Sequence, residues 1–98
     1  MTNHVLTLNA GSSSLKFALH PCGPSREGPQ FSGIVDGLGS RARLRVQAAA
    51  GTTLADRELA GVGGAPATHD DALRATLRLL REHAPDARVA AVGHRIVH

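Results

Sequence analysis

Tryptophan and tyrosine are absent from this chain, and Phe17 and Phe31 are its only aromatic residues. Any core must therefore be assembled from Ala, Val, Leu and Ile, which bury less area per side chain than aromatic rings. At 98 residues the chain is long enough for one domain. Its small size limits how much surface a core can remove from water, so marginal stability is expected. Cys22 is the single cysteine, which excludes an internal disulfide; Pro-Cys-Gly-Pro reads as a turn with an incidental surface thiol. No run of about eighteen apolar residues exists, so no membrane-spanning helix and no membrane partner are expected. No basic region followed by an apolar run marks a secretory leader. The cytoplasm is the expected compartment.

Lysine is nearly absent as well. Lys16 stands alone beside ten arginines, and against eight acids these give a net charge of +3. The arginines are dispersed apart from Arg41, Arg43 and Arg45, and no aromatic side chains accompany that stripe for base stacking. A solvated strand face explains it better than a nucleic-acid site, and no nucleic-acid partner is expected.

Against this background the segment Leu8 to Phe17, LNAGSSSLKF, is distinctive. An apolar run (Val5, Leu6, Leu8) leads into Asn9 and a turn holding Gly11 and three consecutive serines; the chain leaves through Leu15, Lys16 and Phe17. Small residues let backbone N–H groups face an anion, the hydroxyls add donors, and Lys16 adds a full positive charge. Those groups suit a phosphate chain at the tip of a β-hairpin. The spacing G-x-x-x-x-G-K-[ST] is absent, and a strand pattern rather than a helix follows the turn, so this is not the familiar phosphate loop. A Ser-rich turn with no ligand is the competing reading, because Gly and Ser populate turns for conformational reasons alone.

The rest of the chain reads as further strands and one helix. Val5 to Asn9 and Leu15 to His20 form the hairpin, and Pro21 to Pro29 is a loop broken by prolines and glycines. Phe31 to Val35 makes a third strand ended by Asp36-Gly37. From Arg41 to Ala48 the arginines alternate with Ala42, Leu44 and Val46, the period of a half-buried strand. Thr52 to Leu59 is its weaker partner, and Gly61 to Ala67 is a flexible connector. Its Gly61-Val62-Gly63-Gly64 is not a dinucleotide loop, since Pro66 stands where G-x-G-x-x-G needs its third glycine. Thr68 caps a helix, with Asp71 as its capping-box partner. Asp70 and Asp71 favour the start, and Arg78, Arg81 and His83 the end. Leu73, Leu77, Leu80 and Ala84 form the expected buried stripe, and Pro85 stops the helix. Val89 to Val92 reads as a buried strand, with Gly93-His94-Arg95 just past it. His94 and His98 would stand roughly 13 Å apart on an extended strand, at about 3.3 Å per residue, too far for one zinc ion.

Strands, a crossover helix and a final strand indicate an α/β sheet containing a parallel pair. If the last strand lies beside and parallel to the first, Asn9 and Arg95 emerge at the same edge, where such sheets collect ligands.

The run N-A-G-S-S-S-L-K at 9 to 16 resembles the amino-terminal signature of the acetate kinase family, and G-H-R-I-V-H at 93 to 98 resembles a second family segment. Both stand in the expected order. The resemblance implies a ribonuclease-H-like mixed sheet with antiparallel hairpins and a crossover helix, incomplete at the carboxyl end. Residues 1–98 would then be part of an amino-terminal domain, with the second domain absent. It implies reversible phosphoryl transfer from ATP to acetate, giving acetyl phosphate and ADP. Asn9 would help hold Mg²⁺; Gly11, Ser12, Ser14 and Lys16 would meet the ATP phosphates; Arg95 would bind the carboxylate or acyl phosphate. The adenine pocket and the catalytic residues would lie beyond His98, leaving no catalytic residue within this chain and little activity of its own. The longer form would be a homodimer. A noncatalytic phosphate- or nucleotide-binding module, and a kinase for propionate or butyrate, stay open as alternatives.

Overall fold

The computed structural model describes residues 2–22 and 30–96. Six strands form one mixed sheet: β1 (Thr2–Ala10), β2 (Leu15–Pro21), β3 (Phe31–Asp36), β4 (Ala42–Ala48), β5 (Thr53–Leu59) and β6 (Ala87–Ile96). Among the described residues one α-helix, α1 (His69–His83), lies between β5 and β6. The spatial order is β5-β4-β3-β2-β1-β6, with β1 and β6 parallel and every other pair antiparallel. The sequence reading of an α/β sheet with hairpins, a crossover helix and one parallel pair is what the chain adopts. The expected loop at residues 21 to 29 falls mostly outside the described residues; Pro21 closes β2.

Strand alternation sorts the sheet into two faces. Leu6, Leu8, Leu15, Phe17, Leu19, Phe31, Val35, Leu44 and Val46 are buried on the face that α1 covers. Registers join them directly, as in Leu8↔Phe17, Leu15↔Val35 and Val35↔Leu44. Gly33 lies opposite Phe17, and a Cβ there would stand 2.5 Å from the Phe17 ring, so the missing side chain is the space the ring occupies. Gly37 turns the chain out of β3 at a φ of +73°, a conformation glycine adopts without a steric penalty.

The helix begins as the sequence indicates. The Thr68 hydroxyl accepts from the Asp71 amide at 3.3 Å, and the Asp71 carboxylate accepts from the Thr68 amide at 2.8 Å. Of the expected stripe, Leu80 and Ala84 are buried and Leu73 packs against the core, and Leu77 alone among them departs from it. Ala72, Ala75, Thr76, Leu79 and Leu80 face the core, while Leu77 is 41% exposed. Ala72 and Ala75 are buried on the core side of the helix, and Leu77 lies away from them toward solvent. Thr76, fully buried, satisfies its hydroxyl by donating to the Ala72 carbonyl at 2.9 Å.

Three other expectations change. Residues 61 to 67 are not a free connector: Val62–Gly64 form a 3₁₀ turn, Ala60 bridges Pro66, and Ala67 is buried. The final strand is longer than Val89 to Val92 and includes Arg95, because β1 offers paired backbone groups as far as Ala10↔Ile96. It is also not buried: Val89 is 40% and Val92 56% exposed. As an edge strand β6 has one neighbour, and α1 packs over β2 instead of reaching across it.

Candidate functional site

Each up-running strand ends at the same edge of the sheet, so the chain's connections gather there. The serine turn follows β1, the turn around Gly37 follows β3, the segment leading to α1 follows β5, and Arg95 lies near the end of β6. Because β1 and β6 are parallel, their carboxyl ends sit side by side, the location where α/β sheets hold ligands.

Asn9 occupies the centre of this edge. It is the register partner of Lys16 on β2 and of Arg95 on β6. Three strands thus place Lys16, Asn9 and Arg95 in one row, with the outer two backbones roughly 10 Å apart, twice the usual interstrand spacing. The Asn9 and Lys16 side chains are exposed on the face opposite α1, since their neighbours Leu8 and Phe17 point into the core. Lys16 borders a shallow depression shared with Ser32, Ile34, Asp36 and Arg45.

The cations differ in whether they are matched. Arg43 Nε lies 2.7 Å from Asp56, and Arg45 lies 3.4 Å from Asp36. Lys16 forms no ion pair among the described residues. The arginine stripe is therefore partly neutralised by its own sheet, whereas Lys16, like Arg41, has no acidic partner among the described residues.

The serine turn is held by three hydrogen bonds. The Gly11 amide donates to the Ser14 carbonyl at 2.9 Å, the Leu38 amide donates to the Ser13 carbonyl at 2.9 Å, and His69 Nε2 lies 2.6 Å from the Gly11 carbonyl. The Gly39 amide in turn donates to the Ala67 carbonyl at 3.0 Å, tying the β3–β4 turn to the start of α1. Ser12 and Ser13 are exposed at the tip, and Gly11 and Ser14 are half-buried.

All six residues singled out from the sequence, Asn9, Gly11, Ser12, Ser14, Lys16 and Arg95, lie at or beside this edge. The sequence reading passed over Leu38 and His69. A histidine placed directly after the Thr68 cap is visible in the sequence, but its contact with a residue 58 positions earlier is not. Among the described residues no group of three or more His, Cys, Asp or Glu side chains could enclose a metal ion. The Asn9 side chain is exposed at this edge.

Comparison with known proteins gives a consistent result. The family model of the acetokinase family matches residues 4–98. The acetate kinase of Methylocella silvestris is 39% identical over 104 residues, covering 100% of this chain and 26% of that protein. The acetate kinase of Rhizobium meliloti is 41% identical over 96 residues, covering 96% of this chain and 23% of that protein. A propionate kinase structure from Francisella tularensis superposes with a TM-score of 0.71 at 24% identity, covering 98% of this chain and 23% of that one. The chain spans about a quarter of the length of these relatives.

Proposed function

Because the chain belongs to the acetokinase family, we propose that it forms the phosphate-gripping part of an enzyme that reversibly transfers the γ-phosphoryl group of ATP to acetate, yielding acetyl phosphate and ADP. The observation that supports this most strongly is the row Lys16, Asn9, Arg95 across three adjacent strands, beside the serine turn.

An acetate oxygen is already a nucleophile, so the reaction needs no strong base. Its difficulty is bringing one anion against a more highly charged one, which positioning and positive charge relieve. Lys16, with no acidic partner among the described residues, draws the ATP phosphates toward the sheet edge. Gly11, Ser12 and Ser14 line the turn against those phosphates with amide and hydroxyl donors. Arg95 takes the carboxylate or the acyl phosphate, because a planar guanidinium can bind two oxygens at once. Mg²⁺ carried by the nucleotide suits Asn9: such ions keep several waters and bind through one or two protein oxygens plus phosphates. When bound, the ion neutralises charge on the phosphate oxygens. A reaction that draws on ATP fits a cytoplasmic setting.

Calorimetric titration of the chain with MgATP and with acetyl phosphate tests this division of labour. Lys16→Ala should weaken MgATP binding by about tenfold or more, the scale of one charge-assisted hydrogen bond. Arg95→Ala should weaken acetyl phosphate binding and leave MgATP largely unchanged. Equal affinities of all three proteins for both ligands would end the assignment.

A further inference from the structure

We propose that His69 is a positioning residue for the serine turn: by holding the Gly11 carbonyl it aims the Ser12 amide at the bound phosphate. This rests on the phosphate-binding reading of the turn given above.

The inference follows from peptide geometry. No peptide bond in the described chain is cis, so each carbonyl points away from the N–H of the next residue. The Gly11 carbonyl meets His69 at 2.6 Å, which turns the Ser12 N–H to the opposite side. The Ser13 carbonyl accepts from Leu38, which turns the Ser14 N–H likewise. Among the described residues the amides of Ser12, Ser13 and Ser14 donate to no other backbone group. Each fixed carbonyl thus fixes the direction of the amide donor that follows it, and donors held in this way and left without a backbone acceptor suit an anion. Leu38 does this through backbone that belongs to the fold. His69 does it through a side chain, so it can be altered without changing the sheet.

A carbonyl oxygen can only accept, so Nε2 of His69 must carry the proton. The residue is exposed and its imidazole is anchored by the helix start, where the Thr68–Asp71 capping box fixes the first turn. His69 touches no reacting atom in this account; it acts through the peptide between Gly11 and Ser12.

The test compares the unchanged chain with His69→Leu and His69→Gln, using inorganic pyrophosphate as probe and nuclear magnetic resonance as readout. In the unchanged chain, the imidazole nitrogens should report an Nε2–H form; an Nδ1–H form would overturn the proposal without any variant. His69→Leu should move the Gly11 carbonyl ¹³C signal, keep the remaining sheet signals in place, and weaken pyrophosphate binding by about tenfold, the factor expected for one lost hydrogen bond. His69→Gln, whose amide N–H can donate over a similar reach, should recover most of that loss. Binding by His69→Leu equal to that of the unchanged chain overturns the role of His69 and leaves the phosphate reading standing. A glutamine variant as weak as the leucine variant also overturns it. No binding by the unchanged chain removes both readings together.

Discussion

Lys16 and Phe17 are neighbours in sequence and belong to opposite sides of the sheet. Phe17 is 3% exposed and lies over Gly33 beneath the helix; Lys16 stands in water on the open face beside Asn9. The helix-covered face is a continuous apolar layer in which each residue is constrained by its cross-strand partners. The open face carries Asn9, Lys16, Ser32, Arg43, Arg45 and Gln47, with Arg43 and Arg45 paired to Asp56 and Asp36. Strand alternation lets one segment serve both ends: the inward residues fix the fold, and the outward residues remain available for chemistry.

Substitutions on the two faces should therefore differ in kind. Phe17→Ala removes one of the two phenyl rings of an aromatic-poor core and should cost about 3–5 kcal/mol. Against a total of about 5–15 kcal/mol for a domain, that is a large share, seen as a marked fall in the urea midpoint. A midpoint shift under about 1 kcal/mol would show that the covered face is not the seat of stability. The adjacent Lys16→Ala should leave the midpoint within about 0.5 kcal/mol, as for an ordinary surface change, while affecting MgATP binding as described above. Smallest of all should be Asp56→Asn, which removes the ion pair with Arg43. Both side chains are nearly half exposed, so screening by water holds the loss to about 0.5 kcal/mol or less. A larger loss would mean that the open face also carries structural weight.

The same contrast explains what the sequence disclosed. Patterns carried by neighbouring residues were legible: the alternation of Arg43 and Arg45 with Ala42, Leu44 and Val46, and the Thr68–Asp71 cap, both appear in the fold. The meeting of Asn9 and Arg95 was legible only on the condition that the last strand lies beside and parallel to the first, a neighbour that the order strand, helix, strand does not itself choose. Coverage was not. Val89 and Val92 are as apolar as core residues, yet hydrophobicity alone does not say that a helix will lie over β2 and leave β6 uncovered. Nor did leucine spacing in α1 show that Ala72 and Ala75 would be buried and Leu77 exposed. The contact between His69 and Gly11 lay furthest from view, since it exists only once β5, its following turn and α1 have brought distant residues to one edge.

The central claim is that the serine turn and the ends of β1 and β6 form one anion site. Titrating an isotopically labelled chain with pyrophosphate, and following every backbone amide, tests it most directly. The account predicts that the signals of residues 9 to 16 and of Arg95 move together along one binding curve, while those of Arg41, Arg43 and Arg45 stay still. Movement centred on the arginine stripe, or separate curves for the turn and for Arg95, would contradict it.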